Sequence, residues 1–165
     1  KTFSNGTQIN KHIYDASSGF DTLLITGAQN ADFTGTSYQT DPNVKGNVVA
    51  GVEAVIGDSA DQTLTINTHE IDAQSDNTAG DDWQGFIAWL GNGDDTLNLT
   101  GVDWQYDAAA TSNADITPAM VAKMGLSAAQ VADLQAYVFN DLYSNDQITV
   151  WTDAESITYL GTDIV

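Results

Sequence analysis

A nine-residue phrase, Gly93-Asp94-Asp95-Thr96-Leu97-Asn98-Leu99-Thr100-Gly101, constrains this chain more than any other feature, because it occurs twice. The earlier copy, Gly19-Phe20-Asp21-Thr22-Leu23-Leu24-Ile25-Thr26-Gly27, matches it at six of nine positions. Looser relatives begin at Asp61 and Asp146. Each reads as a Gly/Asp/Asn turn, an acid at its exit, and a strand of alternating residues. Leu97 and Leu99 point one way, Thr96, Asn98 and Thr100 the other. Glycine admits positive φ in the turn, and a carboxylate beside bare carbonyls suits a hard cation. The same acid also serves as a turn former that accepts a hydrogen bond from its own backbone. Both readings stand at this level.

Charge narrows the choice of partners. Twenty-three Asp and Glu face four Lys and Arg, a formal net charge of −19, and only Glu53, Glu70 and Glu155 among the acids are glutamate. An excess of Asp suits turns and metal loops better than helix surfaces. With so few cations the carboxylates are solvated, repel one another, or bind metal. Nucleic acid is a poor partner, since phosphate binding needs basic groups. No run reaches the roughly 20 apolar residues of a membrane-spanning helix, so no membrane insertion is expected. The 42% hydrophobic content supports a packed core of one domain over 1–165. Cysteine is absent, which excludes disulfides, thiolate zinc sites and a cysteine nucleophile. The sequence opens at Lys1 without a signal-like segment and reads as a piece of a longer chain.

The fold expected is mainly β, sandwich-like with antiparallel strands, and with a short helical insert at about 117–140. Residues 1–14 suggest a hairpin or edge strand around Ser4-Asn5-Gly6, and 27–46 a long loop. Strands are expected near 20–26, 48–56, 62–67, 86–90, 147–151 and 156–160. The pair 52–66 and 86–99 looks like one unit used twice. Nine-residue tandem repeats are absent, so no continuous calcium roll is predicted. Thr117 as N-cap with Pro118 behind it starts one helix, and a Ser127/Gln130 capping box starts a second, with Val131, Leu134 and Val138 along one face. The pair is expected to pack between two sheets.

The candidate metal ligands are Asn92, Asp94 and Asp95, with Asp21, Asp58 and Asp61 as parallel candidates, and the cation they suit is Ca2+. The stretch Asp72–Asp82 is a second candidate loop. Nothing completes an EF-hand. His12 and His69 lie in no nucleophile or zinc pattern, and no phosphate-cradling loop is present, so catalysis is not expected. Trp83 and Trp104 lie among polar residues, which favours exposure and a platform for a glycan ligand, while Trp89 and Trp151 are expected in the core. Since tryptophan is buried on average, core or half-buried rim is the favoured reading of the tryptophans over sugar stacking.

Gly91-Asn92-Gly93-Asp94-Asp95-Thr96-Leu97 resembles the core of the repeats-in-toxin (RTX) calcium motif. Together with Val52-Glu53-Ala54-Val55-Ile56-Gly57, it is similar to the scaffold, or split-domain, module in the ligand-binding region of bacterial RTX surface adhesins. The resemblance covers about half the chain in phrasing. It implies type I secretion, an extracellular position at the bacterial cell surface, folding with Ca2+, and work in adhesion and biofilm formation beside neighbouring domains. It also implies either support of a ligand-binding domain or direct contact with a glycan or protein ligand.

Overall fold

The computed structural model describes residues 2–4, 13–15, 19–34, 48–50, 52–69, 71, 83–112 and 114–165. The turn at Ser4-Asn5-Gly6, His12, most of the expected 27–46 loop and the Asp72–Asp82 stretch lie outside them. The described residues are mainly β, with two short helices in the 117–140 region, as expected. One sheet contains, in spatial order, β1 (Thr2–Ser4), β3 (Thr22–Thr26), β6 (Ala54–Ile56), β8 (Gly85–Trp89), β12 (Gln147–Thr152), β11 (Gln135–Asp141) and β10 (Trp104–Tyr106). The other contains β14 (Thr162–Asp163), β13 (Ser156–Tyr159), β9 (Thr96–Thr100), β7 (Gln62–Asn67) and β4 (Gln29–Phe33). A separate parallel pair joins β2 (Ile13–Asp15) to β5 (Val48–Ala50).

Strand direction differs from the antiparallel expectation. β1, β3, β6, β8 and β12 run parallel, as do β4, β7, β9 and β13. Among the described residues antiparallel pairing is confined to β10–β11, β11–β12 and β13–β14. The chain passes from the first sheet to the second and back, so β3–β4, β6–β7, β8–β9 and β12–β13 are four stacked rungs. Leu23 lies beside Val55, 32 residues on, and Thr63 beside Thr96, 33 residues on. Stacking buries side chains in columns. Ala31, Leu64, Leu97 and Ile157 form one, and Phe33, Ile66 and Leu99 the next, all fully buried between the sheets. Their alternate neighbours form a polar face, where Asn98 Nδ2 reaches Thr65 Oγ1 at 3.4 Å and Thr158 Oγ1 donates to Asn98 Oδ1 at 2.8 Å.

Residues 101–146 interrupt the repeat between the third and fourth rungs. Thr117 Oγ1 caps α1 (Pro118–Met124), Gly125 closes it in the left-handed region, and Ser127 with Gln130 caps α2 (Ala128–Asp133). Met124, Leu126 and Leu134 pack on Ala54, Ile56 and Ile87, on the outer face of the first sheet rather than between the sheets. The helices end earlier than expected. Leu134 is already extended, and Gln135–Asp141 pairs with β12, so Val138 belongs to a strand. Thr2–Ser4 is an edge strand beside β3, and Gln29–Phe33, expected as loop, is a strand beside β7.

Candidate functional site

The repeated acids meet where each rung turns from the first sheet into the second. Residues 27–28, 57–61, 90–95 and 153–155 stack there, and Asp58, Asp61, Asp95, Asp153 and Glu155 each accept a backbone N–H from a neighbouring rung. Asp58 Oδ2 accepts from Gly27 N at 2.7 Å, and Asp95 Oδ1 from Gln62 N at 2.7 Å. Asp153 takes Leu90 N at 2.7 Å and Gly91 N at 3.1 Å. Glu155 Oε2 takes Asp95 N at 2.8 Å, and Asp61 Oδ1 takes Asp94 N at 3.1 Å. These N–H groups lie just outside the strand ladders, where they would otherwise face the corner unpaired. Asp58 is also a turn former of the expected kind, its Oδ1 accepting from Ala60 N at 2.9 Å, but the bonds that recur along this corner run to a neighbouring rung.

The six candidate ligands do not form one shell. Asp21 sits at a different corner, where its N–H donates to Glu53 Oε2 at 2.6 Å and its carbonyl accepts from Glu53 N and Ala54 N. Asp58, Asp61 and Asp95 each spend an oxygen on a neighbouring rung, while Asn92 and Asp94 are exposed. Among the described residues no group of three or more His, Cys, Asp or Glu side chains is placed to hold a metal. Two oxygens at this corner nevertheless lack a donor. Asp95 is 1% exposed with Oδ2 unpaired, and Gln62 Oε1 is buried and unpaired, although Gln62 Nε2 donates to Gly27 O and Asp58 Oδ1. Buried oxygens without donors fit a hard cation or a proton. Of the two residues that carry them, Asp95 belongs to the candidate set of six and Gln62 does not.

Burial drives the Asp95 pKa up to about 6, against the Gln62 N–H that favours the charged form, and the charges of Glu155, Asp153 and Asp61 push it further up. Burial also raises Asp153, against its bonds from Leu90 and Gly91. Glu53, 4% exposed, is raised by burial as well, with the Asp21 charge adding to it and Lys123 opposing it. Lys123, the one lysine or arginine among the described residues, ties α1 to the first rung by donating to Phe20 O at 3.2 Å. Removing an acceptor from this corner has a readable cost. Asp153→Ala should lose about 2 kcal/mol in denaturant unfolding by stranding two N–H groups; an unchanged midpoint would show that water replaces the carboxylate freely.

The tryptophans are core or half-buried, the favoured reading, and the exposure expected of Trp83 and Trp104 is not found. Trp104 is 2% exposed, and the one Tyr159 hydroxyl proton is shared between two carbonyl oxygens, Gly101 O at 2.6 Å and Trp104 O. Trp83 is half-buried, its Nε1 donates to Asp115 O at 2.9 Å, and Phe20 meets its ring at 5.9 Å, edge on. Neither offers an open ring face as expected, and Trp89 and Trp151 are half-buried beside the helices. A cavity of about 310 Å³ lined by Ile116, Pro118, Val121, Ala128 and Val131 lies at the helical insert and carries no titratable side chain. No helix among the described residues is long and apolar enough to cross a membrane. Compared with family models, curated proteins and solved structures, the chain matches none.

Proposed function

We propose that this chain is a non-catalytic scaffold module of an extracellular bacterial adhesin, a rigid stack of coils that supports neighbouring ligand-binding domains. The observation that carries the reading is the bracketing of rung to rung by Asp58, Asp61, Asp95, Asp153 and Glu155. The chain's most distinctive residues are spent on making one coil hold the next, which is what a support needs. The resemblance of the Gly91–Leu97 phrase to RTX adhesin modules supplies the setting: secretion, the cell surface, and a longer parent chain. A carbohydrate-binding module is the weaker reading, because Trp104 is buried and Trp83 is engaged at its nitrogen and ring edge.

Ca2+ enters this reading as the cation that neutralises the acidic corner, with Asp95 Oδ2 and Gln62 Oε1 as oxygens able to meet it. An ion bound by the folded state alone adds about 2.7 kcal/mol at a hundredfold excess over its Kd. Calcium should therefore raise the Tm by several degrees and a chelator should reverse the rise, with Asp95→Asn insensitive to both. A wild-type Tm indifferent to calcium at low ionic strength would remove the ion and leave the brackets. The scaffold role is tested separately on a saccharide array and a panel of glycosidic, ester and peptide substrates. The isolated module should retain no saccharide and turn nothing over. Saccharide retention abolished by Trp83→Ala, or turnover abolished by one acid substitution that preserves the Tm, would contradict it.

A further inference from the structure

The segment 101–146 adds something the rungs lack. Of six large hydrophobic side chains exposed among the described residues, three belong to it: Val102 at 73%, Leu142 at 51% and Tyr143 at 84%. Forty residues separate Val102 from Leu142, and the β10–β11 pairing brings them together. Trp104 lies opposite Asp141, and Leu142 N donates to Asp103 O at 2.8 Å, so Val102 and Tyr143 are carried on adjoining segments. The other three, Leu24, Leu160 and Val165, lie on the rungs or in the C-terminal segment. In repeat architectures, an insertion that departs from the coil is commonly where the binding face lies.

The loop that presents Tyr143 is held firmly. Asp141 Oδ1 accepts from Tyr143 N at 2.5 Å and from Ser144 N at 2.7 Å, which lowers the Asp141 pKa. Ser144 Oγ donates to Asp146 Oδ2 at 2.6 Å and accepts from Asp146 N at 3.1 Å, while Asp141 N donates to Asp146 O at 3.0 Å. Five hydrogen bonds fix the backbone that carries Tyr143, so the loop has already lost freedom that binding would otherwise remove. Asp103 follows Val102, Asp141 precedes Leu142 and Asp146 closes the loop after Tyr143, so carboxylates flank the apolar side chains, and His69 is the basic side chain that bears on Asp141.

We propose that Val102, Leu142 and Tyr143, with Asp103 and Asp146, form a docking surface for a cationic, apolar-bearing peptide segment of a partner protein. The aliphatic groups take the partner's apolar side chains. The Tyr143 ring face and the carboxylates take a guanidinium or ammonium, which is attracted both to an aromatic face and to an anion. A purely apolar partner would leave the carboxylates to be desolvated unpaired, and an anionic one would be repelled. The surface is distinct from the acidic corner and stands whether or not the scaffold reading does.

The test is a titration of the whole chain with three capped synthetic peptides, one of alternating Arg and Leu, one of Gln and Leu, and one of Arg and Ser. The Arg/Leu peptide should bind at least about tenfold more tightly than either control. Tyr143→Ser and Leu142→Ser should each weaken it about tenfold, as for truncated anchors. Asp146→Asn should weaken it and reduce its salt dependence, while Asp133→Asn on the exposed face of α2 should change nothing. All four positions are exposed, so the melting curves should stay in place and report a folded chain. Equal binding of the Arg/Ser peptide would reduce the effect to attraction by a polyanion, and equal binding of the Gln/Leu peptide to apolar adhesion; either overturns the proposal. So does a wild-type dimer in sedimentation that Tyr143→Ser dissociates, which would make a second copy the occupant.

Discussion

Gly91→Ala is expected to destabilise the fold by about 4 kcal/mol or more, enough to unfold a domain of ordinary stability near its growth temperature. Two effects combine. Gly91 has φ +107°, where an L side chain is strained. A Cβ placed there would also lie 1.8 Å from the carbonyl oxygen of Asp58, on backbone that cannot rotate aside. Relief would require the second and third rungs to separate at the corner where Asp153 grips Leu90 N and Gly91 N. Gly27→Ala is the control. Its φ is +77°, yet nothing lies within 4 Å of the added carbon, so only the strain remains, about 1 kcal/mol. Chemical denaturation of both variants separates collision from strain, and equal losses would mean that the rungs do not stack closely at this corner.

Leu97→Ala follows, with an expected loss of about 3 to 4 kcal/mol. Leu97 is fully buried in the column between Leu64 and Ile157, under the opposing sheet. Rungs bracketed at the corner cannot close over the void, which places the cost in the upper part of the usual range. Leu24→Ala, on the exposed side of β3, should lose less than about 1 kcal/mol. A small loss at Leu97 would show that the two sheets are not packed through these columns.

The two near-identical nonamers show how far the sequence could be read. Both form strands with the expected alternation, but Thr22–Thr26 lies in the first sheet and Thr96–Thr100 in the second. Alternation specifies which side chains face inward; it says nothing about which sheet a strand joins or which way its neighbour runs. The structural counterpart of Thr96–Thr100 in the first rung is Gln29–Phe33, whose polar composition reads as loop. That strand is stabilised by pairing with β7 and by Ala31 and Phe33 facing the core. For the same reason Asp21 is not the equivalent of Asp95, and the candidate metal set divides between two corners.

The unit recognised twice, 52–66 and 86–99, does correspond to adjacent rungs, and its spacing of about 33 residues held the parallel topology in plain view. Parallel neighbours a full coil apart leave no hairpin turn in the sequence, so the antiparallel expectation had nothing local to correct it. Trp104 failed for a related reason. Its polar sequence neighbours describe the chain around it, whereas its burial comes from its place in the main core cluster, most of whose other members lie far along the chain. The helix caps were legible because Thr117-Pro118 and Ser127/Gln130 act within one turn. The inter-rung role of the acids was not legible, because their N–H partners lie 31 to 63 residues away.

The central claim is that the acid of the repeated phrase works as a bracket between rungs, at a cost in stability when its charge is not neutralised. Asp95 has a higher pKa folded, about 6, than its ordinary 3.8. The folded chain therefore binds more protons between those values, and this group's contribution to stability falls as pH rises through the window, with the full penalty above it. Asn keeps an oxygen for the Gln62 N–H and removes the charge. The most direct measurement is the Tm of wild type and Asp95→Asn in chelator from about pH 4 to pH 8. The account predicts that the variant melts higher near pH 8, by about 2 kcal/mol after solvent screening, and that the gap closes as pH falls below about 4. A variant that melts lower than wild type at pH 8, by an amount that does not change with pH, would contradict it.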